Sequence, residues 1–292
     1  MVPTPTIERG MTIGKYRVIQ PLGRGGMGRV WEVEDRDGRR YALKLPDSVI
    51  GGEAAMRLAR EANALRMLDH ENLVAAVDVF TEAGALVLVM EKVVGRSLTE
   101  RLSEGPVHPR AALVLARQLL DGIGHAHARG IVHRDLKPDH VMLVDMGGWE
   151  RVKILDFGIL KLTGEPAQAI GSRQLTSMGT VVGTPAYMSP EQTMGKPLDG
   201  RSDLYSSAII LFEMLAGRVP FEHGNALVQM QMHCKAPLPR LDHVTRGARW
   251  CTPQLIAVVE GGLAKDPDHR FRDAATMIAA LDDAFASLDH VV

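Results

Sequence analysis

The sequence predicts an α+β protein of two unequal parts, a small β-rich N-terminal lobe and a larger, mainly helical C-terminal lobe. Three observations carry this reading. The first ninety residues alternate strand-like apolar runs with glycine turns, a short connector follows near Glu91–Gly95, and helical spacing dominates after it. In order, Tyr16–Leu22 and Arg29–Asp35 read as strands flanking a glycine cluster. Asp37-Gly38 is a two-residue hairpin signal that leads into a third strand through Tyr41–Leu45. Ala55, Leu58, Ala62, Leu65 and Leu68 recur at helical spacing, and Leu73–Phe80 and Ala85–Met90 read as two more strands around Gly84.

Beyond Gly95, His108–Arg129 reads as one long amphipathic helix with Pro109 in its first turn. Short strands are expected at Val141–Val144 and Val152–Leu155, and helices at Asp203–Gly217, Gln254–Leu263 and Ala274–Leu288. Residues 158–190 are rich in Gly, Ser, Thr and Pro, and a loop of that length inside a compact domain reads as functional or disordered.

Composition narrows the function classes. The 292 residues are 46% hydrophobic and 24% charged, which suits a globular protein. A net charge of −1 gives no basic field for nucleic acid, and 4% aromatics offer no base-stacking surface. Cys234 and Cys251 form no C-x-x-C pair and read as reduced thiols of a cytoplasmic protein. Met1–Arg9 has no signal-peptide pattern, and no stretch approaches the ~18 apolar residues of a membrane span. The apolar run Ser206–Leu215 contains Glu213 and reads as a buried core helix.

Four motifs carry chemistry. Gly23-Arg-Gly25-Gly26-Met-Gly28 lies between two strands; alone, such a cluster is more often a structural turn. A dinucleotide fold needs a helix directly after the glycines, but Arg29–Val33 continues as a strand, and the Gly-Lys-Ser/Thr ending of a P-loop is absent. Lys44 ends the strand Tyr-Ala-Leu-Lys and read alone is a solvated lysine; Glu61 read alone is half of an exposed pair with Arg60. A buried Lys44–Glu61 pair would instead point an ammonium at nucleotide phosphates. Asp156-Phe157-Gly158 follows an apolar strand, where an aspartate is either a turn residue or a hard oxygen ligand for magnesium. Ile131–His140 reads IVHRDLKPDH, and Gly183–Glu191 reads GTPAYMSPE.

In this order and spacing the chain resembles the catalytic domain of the eukaryotic-like (bacterial Hanks-type) serine/threonine protein kinases, from about Gly14 to about Leu288. The resemblance implies a two-lobed kinase fold: an extension over 1–13 and a kinase domain over 14–288, with an N-lobe (14–91, a small antiparallel sheet plus one helix), a hinge (91–95) and a mainly helical C-lobe (96–288). It further implies that Gly23, Gly25 and Gly28 cover the phosphates of ATP and that Lys44, braced by Glu61, holds them. Leu22, Val30, Ala42, Met90 and Met142 would line the adenine pocket, beside the backbone of Glu91 to Val93. Asp135 would orient the substrate hydroxyl, Lys137 face the transferring phosphate, Thr184 support both, and Asp156 bind the metal. Glu191 and Arg270 resemble a buried ion pair, and Asp203 an anchor for the catalytic loop. Arg134 would order an activation segment phosphorylated at Thr176 or Thr180, with Ser172 and Ser177 as lesser acceptors. ATP, magnesium (with manganese as the alternative) and serine/threonine protein substrates are the implied ligands, and a dimer would serve trans-autophosphorylation. The location implied is the cytoplasm, for the chain itself or as the cytoplasmic part of a longer protein.

One position departs from the pattern. The family's loop ends in an asparagine whose oxygen ligates a second metal and whose amide bonds within the loop; here the residue is His140. A histidine is expected not to copy both jobs, having one donor and one acceptor and being a softer ligand. The alternatives are a working enzyme in which His140 is a poorer ligand or Asp156 carries the metal alone, a pseudokinase that binds nucleotide and signals by shape, and a new, pH-dependent role for the imidazole. Of the other histidines, His125 and His127 read as helix-end packing or capping, and His133 as core packing against Phe157.

Overall fold

The structure is a computed structural model that describes residues 7–25, 28–45, 65–157 and 185–290. These divide into two compact units, which separate in sequence between Val94 and Gly95.

The first unit is built on β1 (Thr12–Ile13), β2 (Tyr16–Gly25), β3 (Gly28–Glu34), β4 (Arg40–Leu45), β5 (Ala76–Glu82) and β6 (Ala85–Glu91). They form one antiparallel sheet in the order β1-β2-β3-β4-β6-β5. The Asp37-Gly38 signal makes the β3–β4 hairpin: Gly38 sits at φ 77°, and Asp35 Oδ1 accepts the amides of Asp37 and Arg39, both at 2.9 Å. Alternation then sorts side chains between two faces. On one face Val18, Val33, Leu43, Val87 and Val89 are wholly buried, and Tyr16 packs edge-on to Tyr41 and flat on Phe80. Burying each such side chain contributes roughly 1.5–3 kcal/mol.

The strand expected at Leu73–Phe80 begins later, at Ala76. Leu73 and Val74 are buried, but the Leu73 amide closes a turn onto the His70 carbonyl, so these two residues enter the core before the ladder starts. Of the helix expected over Ala55–Leu68, the described end retains Leu65 and Leu68 as buried residues.

The second unit holds a three-stranded antiparallel sheet, β7 (Arg96–Ser97), β8 (Val141–Asp145) and β9 (Glu150–Ile154). Gly95 is required where the chain enters it, since a Cβ there would lie 2.3 Å from the Leu143 carbonyl oxygen. Eight helices follow among the described residues: α1 (Leu98–Ser103), α2 (Pro109–His127), α3 (Pro190–Thr193), α4 (Gly200–Ala216), α5 (Ala226–Lys235), α6 (Leu241–Val244), α7 (Pro253–Gly262) and α8 (Ala274–Ser287). Helix α4 is the core of this unit. Its residues Ser202–Phe212 are all buried, it packs on α2 and α7, and it ends at Gly217 in the left-handed conformation. The 206–215 run is thus a buried core helix, and no helix among the described residues is long and apolar enough to cross a membrane.

Helices α1 and α5 were not expected. Helix α1 carries a legible capping box, Ser97 with Glu100, but is only six residues long. In α5 the buried residues are Gln229, Met230 and His233, so its inner face is largely polar and shows no apolar period.

Candidate active site

The loop Ile131–His140 lies in the second unit and is held from below by α4. Asp203, 1% exposed, accepts the main-chain amides of His133 (2.7 Å) and Arg134 (2.9 Å) and a third hydrogen bond from His127 Nε2 (2.8 Å). These donors hold its carboxyl below the usual range against the opposing effect of burial. The clamp supports a strained backbone: Arg134 has φ 65°, and its carbonyl accepts Gln192 Nε2 at 2.7 Å. Asp156, at φ 51°, is another non-glycine residue in the left-handed region, so two of the four such residues among the described ones lie in these motifs.

His133 joins the loop to the strand end. A carbonyl can only accept, so the 2.8 Å contact from His133 Nε2 to the Leu155 carbonyl places the proton on Nε2. Nδ1 then accepts the Asp135 amide at 3.3 Å. The ring packs 4.8 Å from Phe157, and full burial lowers its pKa and keeps it neutral. Its expected packing against Phe157 holds, and it also bonds to the residue before Asp156. The Leu155 amide returns to the His140 carbonyl at 2.7 Å.

His140 ends a 3-10 turn, Pro138–His140, and its side chain is 14% exposed. Its Nδ1 lies 2.8 Å from the Asp135 carbonyl, so that nitrogen carries the proton. Nε2 is left as the acceptor, 4.0 Å from Asp156 Oδ2, and Nδ1 is 3.8 Å from Asp135 Oδ2. Burial pushes the imidazole down to about 4, so it is neutral near pH 7. The neutral imidazole thus has one donor, Nδ1, spent within the loop on the Asp135 carbonyl, and one acceptor, Nε2. Among the described residues no three His, Cys, Asp or Glu side chains converge as a complete metal cage. Any ion here would take its other ligands from phosphate and water.

In the first unit, register gathers another group of the expected residues on the face opposite the core. The Cα pairs Gly23–Val30, Val30–Lys44 and Ala42–Met90 put Val30, Ala42, Lys44 and Met90 on one side of the sheet. Lys44 is buried and Leu22 is exposed. Gly25 pairs with Gly28 at the tip of the β2–β3 hairpin. Glu91 ends β6, with its amide on the Ala75 carbonyl and its carboxylate accepting the Ala75 amide, both at 3.0 Å; Val93 follows in the connector. Met142 lies on β8 of the second unit.

Glu191 and Arg270 form a buried, two-pronged ion pair with both contacts at 2.7 Å. Ser202 Oγ adds a 2.6 Å bond to Glu191, and the guanidinium lies 4.8 Å from the Tyr205 ring. Beside them Tyr187 donates to Glu213 at 2.7 Å, and burial raises the pKa of both groups.

Glu61, Thr184, Thr176, Thr180, Ser172 and Ser177 lie outside the described residues. Three structural contributors were not anticipated. His127, at the end of α2, donates to Asp203, and Gly200 makes room, since a Cβ there would lie 2.6 Å from the ring. Gln192 both closes a capping box with Ser189 and bonds the Arg134 carbonyl, and the Ser-x-x-Gln spacing was a readable signal for the first role. Glu32, buried, gathers Gln20 and Lys92 at 2.8 and 2.9 Å, with nothing in the sequence to mark it.

The model of the family described as "Protein kinase domain" matches residues 16–282. A serine/threonine-protein kinase of Myxococcus xanthus, pkn2, is 38% identical over 279 residues, covering 94% of this chain and 33% of the relative. PrkC of Bacillus subtilis is 36% identical over 93% of this chain and 41% of its own length. PknL of Mycobacterium tuberculosis is 35% identical over 94% and 67%. The chain thus spans about a third to two-fifths of the first two relatives. The crystal structure of the Mycobacterium tuberculosis PknI kinase domain superposes with a TM-score of 0.73 over 96% of this chain and all of that one, at 24% identity, a likeness of fold. With its six-stranded antiparallel sheet, its helical second unit and a family match over nearly its whole length, the chain belongs to the protein kinase domain family.

Proposed function

We propose that the chain is a serine/threonine protein kinase domain that transfers the γ-phosphate of ATP to protein hydroxyls. The observation that carries the reading is the clamped geometry of one unit. Asp203 and His133 lock the loop and the end of β9 so that the Asp135 and Asp156 carboxylates lie 3.8 and 4.0 Å from the two nitrogens of His140. Catalysis of this kind depends on positioning and charge stabilisation. In this reading Asp135 orients the attacking hydroxyl and Lys137 and Lys44 face the phosphates. Gly23, Gly25 and Gly28 let the backbone approach those phosphates, and Val30, Ala42, Met90, Leu22 and Met142 contact the adenine. Asp156 and His140 are the donors for a divalent ion, which supplies charge neutralisation on the phosphate oxygens when bound. Magnesium is the ordinary candidate and manganese the alternative.

Regulation by phosphorylation of Thr176 or Thr180 is proposed on Arg134, the arginine next to Asp135, whose backbone is held by Asp203 and Gln192. A second copy of the chain would supply that phosphate. Cytoplasmic action, alone or as part of a longer protein, agrees with Cys234 and Cys251 standing as free thiols. The pseudokinase alternative gains no support from the geometry of His140, which keeps a donor in the loop and an acceptor toward Asp156. The test is incubation of the purified chain with labelled ATP, magnesium or manganese, and a generic basic protein. Transfer is expected, and Asp135→Asn is expected to lower it by at least a hundredfold, about 2.7 kcal/mol in the barrier. Transfer unchanged in that variant would refute the assignment.

A further inference from the structure

We infer that Glu32 and Lys92 are positioning residues for nucleotide binding: their ion pair fixes the Glu91–Val93 backbone beside the nucleotide face of the sheet. The inference rests on the kinase reading, in which that backbone lies against the adenine, and adds to it what holds the backbone in place before the nucleotide arrives.

Three features support it. The first is placement. The Cα pairs Gln20–Glu32, Glu32–Ala42 and Ala42–Met90 form one row across β2, β3, β4 and β6. Glu32 thus stands on the face that carries Val30, Ala42 and Met90, with Ala42 as its direct cross-strand neighbour. A carboxylate buried on such a face is destabilising unless it is bonded. Here Oε2 accepts Gln20 Nε2 at 2.8 Å, and Oε1 accepts Lys92 Nζ at 2.9 Å and Arg40 Nη1 at 3.4 Å. The second feature is that consecutive residues tie the connector to both sides of β6. The Glu91 amide and carboxylate bond Ala75, the residue before β5, whereas Lys92 reaches Glu32 on β3; the strand order puts β5 and β3 on opposite sides of β6. The third is seclusion from solvent. The Glu32 side chain is 6% exposed and that of Lys92 29%, so salt and water screen the pair less than a surface pair. A backbone already held in its bound arrangement loses little freedom when the ligand arrives, which raises affinity without any added contact.

The experiment titrates the whole chain with a non-hydrolysable ATP analogue and magnesium by calorimetry. Lys92→Met should weaken binding by about tenfold, and Lys92→Arg, which keeps the charge, should hold it within about twofold of wild type. Glu32→Leu should reproduce the loss, and the double variant should lose no more than either single one, because both remove the same tie. In phosphate transfer the KM for ATP should rise in Lys92→Met while kcat at saturating ATP stays within about twofold. Lys15→Met removes another ion pair of this unit, with Asp78 at 2.9 Å, and should leave the affinity unchanged. Should Glu32→Leu fail to fold, the Lys92 variants decide alone. Equal binding by wild type and Lys92→Met would overturn the inference and leave the kinase reading standing. An equal loss in Lys15→Met, or a fall in kcat with KM unchanged, would also overturn it. A wild-type chain that binds no nucleotide would overturn both.

Discussion

Replacing Arg270 by leucine gives the most quantitative test of the packing logic around α4. All five guanidinium hydrogens are used: two on Glu191 (2.7 Å each), and one each on the carbonyls of Ala264 (2.7 Å), Arg201 (3.1 Å) and Lys265 (3.1 Å). The side chain is wholly buried, and Glu191 would keep Ser202 as its hydroxyl donor. Removing one partner of a buried ion pair costs about 3–5 kcal/mol, most of it the stranded charge. With a urea slope of about 3 kcal/mol/M, that is a midpoint lowered by about 1–1.7 M. The assay is urea unfolding followed by tryptophan fluorescence for Arg270→Leu, Glu191→Leu and the double variant. The double variant should be more stable than the sum of the two losses by at least about 2 kcal/mol, since no charge is stranded in it, although three carbonyls still lack donors. Additive losses, or a midpoint shift under about 0.3 M for Arg270→Leu, would refute the reasoning.

Two further outcomes follow from the same structure. Gly200→Ala would push the His127 ring from Asp203; it should cost about 1–3 kcal/mol by urea unfolding and lower phosphate transfer, with His127→Asn reproducing much of the effect. Stability should also fall on mild acidification. Burial holds His140 and His233 at about 4 in the folded chain against 6.5 when unfolded. Between those values the unfolded chain binds the proton that the folded one refuses, so stability is complete above 6.5 and drains away as pH falls toward 4. Each histidine should cost about 2 kcal/mol by pH 5. His233→Gln, in the pocket of Tyr205 and Phe221, should therefore flatten the dependence measured by unfolding at pH 7.5 and pH 5, and an unchanged slope would count against it.

Much of the fold was readable because alternation and helical spacing are local. The β3–β4 hairpin follows from Asp37-Gly38, and α2, α4, α7 and α8 from apolar periods with proper ends. Helix α5 escaped because Gln229 and His233 are buried through tertiary bonds to the Phe221 carbonyl and the Tyr205 hydroxyl, which no periodicity encodes. Within the site, residue types and order marked Asp135, Asp156 and Asp203, whereas their geometry depends on contacts 70 or more positions apart, such as His133 with Asp203. The tautomer of His140 was beyond any sequence argument. It is set by the Asp135 carbonyl, which accepts from Nδ1 and so fixes the proton on that nitrogen.

The bonds from Asp203 to the loop also bear on cooperativity. A surface loop ordinarily opens on its own, with little free energy, and its amides exchange early. Here the amides of His133 and Arg134 are sealed onto a carboxylate carried by the most buried helix of the unit. Their opening requires α4 to move, so the segment that carries the proposed chemistry belongs to the last part of the unit to unfold. Damage to the deep packing around α4 will then be felt as lost activity before it is felt as lost structure, because small shifts of Asp203 reach Asp135 directly through the chain.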